Sequence, residues 1–184
     1  MRSTRVARRY AQALMSAAEE RHILETTTAD LTKIAGVIQG SREFRAFLNS
    51  PVVSVPRKKG VLREVFGTTV GPETLAFLDM LVTKQREGEL AGIIEQFHAL
   101  HDIKMGIANV DVTAAVELTA QQQKALQKEL EQRTGKSVRL RVAVDTSIRG
   151  GLVVRIGDTV LDASLSHQLE RLRERFARGA ALPH

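Results

Sequence analysis

The stretch VDTSIRGGLVVRIGDTVLDASLSHQLERL, residues 144–172, decides how the end of this chain folds. It joins a double glycine, Gly150 and Gly151, to two short apolar runs that are separated by Gly157 and Asp158. A Gly-Asp pair between two such runs predicts a tight β-hairpin turn, and the spaced leucines that follow predict a terminal helix. None of these residue types at these spacings makes a catalytic site. The segment therefore predicts a structural scaffold and favours a role in assembly over chemistry.

Two strands and a helix are predicted before this stretch. At Gly106 the apolar period changes from that of a helix to two, the period of a strand with one buried face. The alternating apolar residues are Val110, Val112, Ala114 and Val116 in a first run and Val138, Leu140, Val142 and Val144 in a second. Between the runs, Thr119 and Gln122 have the spacing of a capping box at the start of a helix. We therefore predict a small α+β domain over residues 106–184.

Residues 1–105 are predicted to be helical throughout. Apolar residues recur there at three- and four-residue spacing in six segments, which short turns separate. Pro56 and Pro72 suit the first turns of the fourth and fifth helices, and Ser41 is a candidate N-cap of the third. Six short helices joined in this way predict a compact bundle. The predicted fold class is mainly α with a small α+β part: an N-terminal six-helix bundle followed by a C-terminal sheet-and-helix domain.

The composition excludes several classes of protein. The 184 residues include no cysteine, which removes disulfides and thiolate metal sites. The longest apolar runs are far shorter than the ~20 residues that span a bilayer, so we expect no direct insertion into a membrane. The first 18 residues contain four arginines and no acidic residue, as mitochondrial presequences do. Their apolar residues continue into a second helical segment, which favours an ordinary amphipathic helix.

One short segment resembles a nucleotide site. Gly135, Lys136 and Ser137 have the order found at the end of a phosphate-binding loop. That motif requires a glycine where this chain has Leu130, and it places a strand before the loop, whereas a predicted helix precedes it here. Gly135 is better explained as a helix C-cap.

We also predict no metal site, no cofactor and no catalytic residue. His98, His101 and Asp102 have the spacing of metal ligands on one face of a helix. No third histidine or cysteine follows at a useful distance, so we expect them to form a solvated helix face. The chain has only five histidines and contains none of the common nucleophile or dinucleotide motifs.

A net charge of +6 raises the alternative of a nucleic-acid-binding module. The charge is not concentrated, because residues 1–105 contain 15 basic and 12 acidic side chains and residues 106–184 contain 12 and 9. Arg139 and Arg141 lie on a predicted strand, but a sheet that binds nucleic acid needs aromatic rings for base stacking. Phe176 is the one aromatic residue of the second half. We therefore expect no nucleic-acid partner and keep this as the alternative hypothesis.

The first helix has an unusually wide apolar surface made of small residues. The residues concerned are Tyr10, Ala11, Ala13, Leu14, Ala17 and Ala18. One explanation is that the helix is buried on two sides by its own bundle. The other is that the small residues form a groove for an amphipathic helix of a partner.

Several segments in a fixed order carry a family resemblance. They are ARRYAQAL at residues 7–14, LNSP at residues 48–51, positions along the predicted fifth and sixth helices, and the glycine-containing stretch at residues 144–172. On these segments the chain resembles the δ subunit of bacterial F-type ATP synthases, the equivalent of the mitochondrial oligomycin-sensitivity-conferring protein. The resemblance covers nearly the whole chain. It departs at Thr146, where the family often has proline, and at Arg149, where an apolar residue is common.

The resemblance implies a stator subunit without chemistry of its own. In this family the N-terminal domain holds N-terminal helices of the α subunits with its first and fifth helices, and the C-terminal domain receives the C-terminal ends of the b subunits. The protein thereby clamps the catalytic α/β head to the peripheral stalk against rotor torque during proton-driven ATP synthesis, at the cytoplasmic face of the bacterial inner membrane. The implied groove candidates are Tyr10, Ala13, Leu14, Phe77 and Leu81.

Overall fold

The computed structural model describes residues 4–148 and 150–179. Arg149 and the side chains of Leu172 and Phe176 lie outside the part that is described. The chain is mainly helical, with a small four-stranded sheet in its C-terminal part. It divides into two compact units, Met1–His101 and Asp102–His184. None of the described helices is both long enough and apolar enough to cross a membrane.

Helices make up the first unit. They are α1 Thr4–Glu20, α2 Leu24–Gly40, α3 Arg42–Asn49, α4 Val55–Phe66, α5 Pro72–Thr83 and α6 Leu90–Lys104, with a 3₁₀ turn Glu87–Glu89 before α6. The predicted N-cap of α3 is confirmed, because the Phe44 N–H donates to the Ser41 hydroxyl at 3.0 Å. The two prolines that were expected in first helical turns lie in the first turns of α4 and α5. Local sequence signals therefore place these helix starts correctly.

One apolar core holds these helices together. It contains buried side chains from all six, and among the most deeply buried are Ala11, Leu31, Ile34, Leu62, Phe66, Leu78, Val82, Ile93 and Phe97. Phe44 packs edge-on against Phe66 with ring centroids 5.8 Å apart. Because each fully buried aliphatic or aromatic side chain contributes about 1.5–3 kcal/mol, this cluster dominates the stability of the unit.

The second unit is a four-stranded sheet with two helices. Its elements are β1 Ile107–Ala114, α7 Ala120–Thr134, β2 Ser137–Val144, β3 Leu152–Ile156, β4 Thr159–Asp162 and α8 Leu165–Gly179. The strand order is β2-β1-β3-β4, in which β2 is parallel to β1 and the other neighbours are antiparallel. The helix α7 makes the crossover that a parallel pair requires. The buried side chains of four strand residues and one residue of α7 form the core of this unit: Val110, Val112, Val138, Val154 and Leu130.

The local predictions for α7 are confirmed. Thr119 and Gln122 form the capping box, and Gly135 ends the helix in the left-handed conformation with φ at +65°. Side chains of α7 also reach the outer edge of β2. Gln127 Nε2 donates to the Val138 carbonyl at 2.9 Å, and Glu131 Oε1 accepts from the Val138 N–H at 3.2 Å. The helix is thus attached to the edge strand by side-chain hydrogen bonds as well as by apolar contacts.

The hairpin is also confirmed, whereas the extent of β1 was predicted wrongly. Ile156 pairs with Thr159, which leaves Gly157 and Asp158 as the turn, and Gly157 has φ at +56°. Strand β1 begins at Ile107 and ends at Ala114, so Val116 lies beyond it and is 70% exposed. The apolar alternation in the sequence extends to Val116, but Ala114 is the last residue of β1 that pairs with another strand, so the alternation alone overestimates the length of the strand.

Candidate partner-binding groove

An open groove lies between α1 and α5 and has a cavity volume of about 320 Å³. It is lined by Ala13, Leu14, Ala17, Ala18, Arg21, Ile23, Thr27, Glu73, Ala76, Phe77 and Met80. We call it the α1/α5 groove. Its lining is mostly apolar, and the two charged residues come from the end of α1 and the start of α5. A long apolar groove between two helices suits the apolar face of a third helix.

The lining of the α1/α5 groove belongs partly to the core and partly to the surface. Leu14 and Phe77 are each 8% exposed and pack in the core, where they form the floor of the groove. Ala13 and Ala17, one turn apart on α1, are exposed. Since alanine has no side chain beyond Cβ, a neighbouring helix can approach α1 closely at these positions. Helix α1 therefore buries one side in the core and leaves an adjacent side open.

The residues at the two ends of the α1/α5 groove show how α1 and α5 are oriented. At one end Arg21, the residue just after α1, has Nη1 4.0 Å from Oε1 of Glu73 in α5. At the other end a second cavity of about 360 Å³ is lined by Val6, Arg9, Tyr10, Ala13 and Arg86. Since the end of α1 meets the start of α5 and the start of α1 meets a residue beyond the end of α5, the two helices run antiparallel along the groove.

A buried carboxylate fixes the start of α5. Asp30 of α2 is 3% exposed, and its Oδ2 accepts hydrogen bonds from the Gly71 N–H at 2.7 Å and the Thr74 hydroxyl at 3.1 Å. Lys33 donates to Oδ1 of the same carboxylate at 3.3 Å. A negative charge at a helix N-terminus is favourable, and these donors offset the cost of burying it. Asp30 thus fixes the position of α5, which forms one wall of the groove. This role was not identified from the sequence, although an acidic residue on the apolar stripe of α2 is an unusual feature that could have pointed to it.

The structure brings together most of the groove candidates from the sequence. Ala13, Leu14 and Phe77 line the α1/α5 groove, and Tyr10 lines the adjacent cavity together with Ala13. Leu81 is 1% exposed, lies in the core and lines neither cavity. Met80 and Arg86 were not among the groove candidates. Met80 lies beside the predicted apolar stripe of the fifth helix, and Arg86 counted only as one of the positions that carry the family resemblance.

Comparisons with known proteins show the family to which the chain belongs. The family model described as ATP synthase delta (OSCP) subunit matches residues 6–176. The chain belongs to this family. It is 45% identical to the ATP synthase subunit delta of Chlorobium phaeovibrioides, over 96% of this chain and 97% of that protein. It is 43% identical to that of Chlorobaculum tepidum, over 94% and 96% of the two chains.

A solved structure gives the same result for the fold. The chain is similar, with a TM-score of 0.72 and 31% identity, to a chain in the cryo-EM structure of the Toxoplasma gondii mitochondrial ATP synthase hexamer. The match covers 97% of this chain and 98% of that one. As a member of the ATP synthase delta (OSCP) family, the protein is a peripheral-stalk component of ATP synthase. The comparisons do not support the alternative of a nucleic-acid-binding module.

A second buried charge in this delta-family chain is an ion pair. Lys58 of α4 is 4% exposed and Glu87 is 8% exposed, and the Lys58 ammonium donates to Glu87 Oε1. The same ammonium donates to the Leu48 carbonyl at 3.0 Å. The pair therefore joins the end of α3, the first turn of α4 and the turn before α6. The sequence did not reveal it, because its partners are 29 residues apart and neither belongs to a motif.

The expected solvated face of α6 is wrong for two of its three residues. His101 is 8% exposed, with Nε2 3.8 Å from Glu25 Oε1. Asp102 is 7% exposed and accepts from Arg139 Nη1 at 3.3 Å. Both polar groups are buried beside charged side chains that lie far from them in the sequence, Glu25 of α2 for His101 and Arg139 of β2 for Asp102. Within residues 4–148 and 150–179, no cluster of three or more histidine, cysteine, aspartate or glutamate side chains could hold a metal ion.

The double glycine of this delta-family chain permits a close approach to the start of α8. Gly151 has φ at +78°, and a Cβ there would lie 2.4 Å from the Ala163 carbonyl oxygen. A Cβ on Gly150 would lie 2.5 Å from Leu165 Cδ1. The Leu165 N–H donates to the Gly150 carbonyl at 2.9 Å. Only glycine combines this backbone conformation with this proximity, so the pair acts as a scaffold.

Acid should weaken the two turns on either side of this double glycine. Hydrogen bonds from the Ser147 hydroxyl and N–H lower the pKa of Asp145, and those from Ser164 lower the pKa of Asp162. The resulting stabilisation is complete above the ordinary aspartate pKa of about 4 and is lost as the pH falls through the lowered values. Urea unfolding at about pH 6 and about pH 3 should show a smaller pH dependence for D145N/D162N than for wild type. Equal pH dependence in the two proteins would contradict this assignment.

Proposed function

We propose that this protein is a non-catalytic stator subunit that clamps the catalytic α/β head of F-type ATP synthase to the b-subunit stalk. In this role it resists rotor torque during proton-driven ATP synthesis. The observation that carries the proposal is the open α1/α5 groove on a chain whose family membership extends over residues 6–176. Holding two bodies together requires tight contacts and no reaction, so the role needs no catalytic residue, metal or cofactor.

Residues 1–105 form the head-binding part in this proposal, as a six-helix bundle. The α1/α5 groove takes the amphipathic N-terminal helix of an α subunit. The groove follows α1 from Ala13 to Arg21, the residue just after the helix, and these eight rises correspond to about 12 Å or two helical turns. Two turns present about three to four apolar side chains on one face, enough to cover Leu14 and Phe77. The groove residues in the proposal are Tyr10, Ala13, Leu14 and Phe77.

Residues 106–184 form the stalk-binding part and receive the C-terminal ends of the b subunits. Support comes from apolar side chains that this unit leaves in solvent. Val160 and Leu161 of β4 are 49% and 46% exposed, and Leu165 and Leu169 of α8 are 49% and 55% exposed. Leu165 and Leu169 lie one turn apart on the same face of α8, and exposed apolar side chains that share a face are typical of contact surfaces. We place this subunit at the cytoplasmic face of the bacterial inner membrane, as a peripheral part of the complex that does not itself insert into the membrane.

A binding experiment tests the head-binding half. A fluorescein-labelled peptide of the α-subunit N-terminus should bind the full chain with a Kd below about 1 µM. A labelled single-stranded RNA of mixed sequence should bind more weakly and lose its affinity steeply as salt is added. RNA binding below about 1 µM without any binding of the peptide would favour the nucleic-acid module instead.

A further inference from the structure

Two arginines lie at one end of the α1/α5 groove. Arg9 on the second turn of α1 and Arg86, three residues beyond α5, line the same cavity as Tyr10. Ala13 lines both this cavity and the groove, so the two lie next to each other along α1. We call Arg9, Tyr10 and Arg86 the arginine end.

The positive charge of the arginine end is not balanced. Among the described residues no carboxylate forms an ion pair with Arg9 or Arg86, and both are exposed. At the opposite end the charge of Arg21 is countered by Glu73 at 4.0 Å. The groove and the adjacent cavity together therefore have a positive end and an end close to neutral. Two guanidinium groups beside a phenol hydroxyl offer several hydrogen-bond donors and no charged acceptor, which suits a carboxylate.

We propose that the arginine end binds a carboxylate of the helix that occupies the α1/α5 groove and thereby sets the direction of that helix. This inference rests on the proposed function, since it assigns a specificity to the same groove. A helix in the favoured direction places its carboxylate between Arg9 and Arg86. The reversed helix places it beside the Arg21–Glu73 pair, whose charges offset each other and give no net attraction. The groove thus discriminates by an attraction that only one end supplies.

The spacing along α1 fixes where the carboxylate lies. Arg9 precedes Ala17 by eight residues, which corresponds to about 12 Å along the helix. A helix that lies along α1 has the same rise per residue. Its acidic side chain therefore lies about two turns from the apolar residue that packs against Ala17 and Phe77. The occupant is a helix with an apolar face and an acidic end.

Charge substitutions in the full chain test the inference. The probe is the labelled α-subunit N-terminal peptide, in its natural form and with every Asp and Glu replaced by Asn and Gln. R9Q/R86Q should bind the natural peptide about three- to tenfold more weakly than wild type does, with a flatter dependence on salt. The amide peptide should bind both proteins equally. The matched control is R5Q/R8Q, because Arg5 and Arg8 are exposed on the same helix but line neither cavity.

The outcomes separate this inference from the proposed function. If R9Q/R86Q binds the natural peptide as tightly as wild type, the arginine end has no role, while the groove proposal stands. The control losing as much affinity as R9Q/R86Q would show a general effect of charge and would also overturn the inference. A wild-type chain that does not bind the peptide overturns both. In a charge-swap arm, R9E/R86E should prefer a peptide whose acidic residues are replaced by lysine.

Discussion

Replacing Lys58 by methionine is expected to lower the free energy of unfolding by about 3–5 kcal/mol. The K58M variant keeps most of the side-chain volume but leaves the Glu87 carboxylate buried without its ammonium donor, and it also removes the hydrogen bond to the Leu48 carbonyl. An uncompensated buried charge costs far more than the ion pair itself contributes. Urea unfolding followed by circular dichroism measures the effect.

Two further variants separate the ion pair from other effects of the substitution. K58M/E87L removes both charges and should recover most of the loss, since an apolar pair of similar volume is often neutral. K84M changes an exposed lysine at the end of α5 and should stay within about 0.5 kcal/mol of wild type. If K58M is no less stable than K84M, the buried pair does not hold these turns together.

The second large effect concerns binding. Ala17→Asp is expected to weaken binding of the α-subunit N-terminal peptide about 100-fold or more, with little loss of stability. Ala17 is exposed in the free chain, so a carboxylate there stays hydrated until the groove is filled. The bound helix would then have to bury an unpaired charge against an apolar face. Fluorescence anisotropy with the labelled peptide measures the change.

The neighbouring residue supplies the matched control. Ser16 is exposed on α1 but does not line the groove, so S16D should bind the peptide like wild type. Leu14→Asp is less informative, because Leu14 is 8% exposed and belongs to the core, where a charge would unfold the unit. Equal binding by A17D and wild type would remove the α1/α5 groove as the docking site.

Features that depend on neighbours in the chain were predictable. The capping box at Thr119, the hairpin turn at Gly157 and the prolines in the first turns of two helices each act within a few residues. Their backbone preferences are strong enough to decide local structure without tertiary contacts. The family resemblance was visible in the sequence because it rests on short segments in a fixed order, one of which contains the hairpin turn at Gly157.

Features that depend on tertiary partners were not predictable. Asp102 was expected in solvent, but its partner Arg139 comes from a strand 37 residues away. Lys58 and Glu87 look like ordinary surface residues until the fold brings them together. The separation of groove residues from core residues was also not predictable, because Leu14 belongs to both the core and the groove lining. The periodicity of apolar residues in α1 does not distinguish these two roles. Only the exposure of Ala13 and Ala17 shows which side of α1 is open.

The hydrogen bonds that α7 makes to β2 have a consequence for the chain before it joins its complex. An edge strand offers unpaired backbone groups on which another polypeptide can align. Gln127 donates to the carbonyl of Val138 and Glu131 accepts from its N–H, so both backbone groups are paired as they would be by a neighbouring strand. A foreign strand must break these bonds before it can pair at the start of β2. The helix therefore protects this edge against aggregation while the subunit is still unassembled.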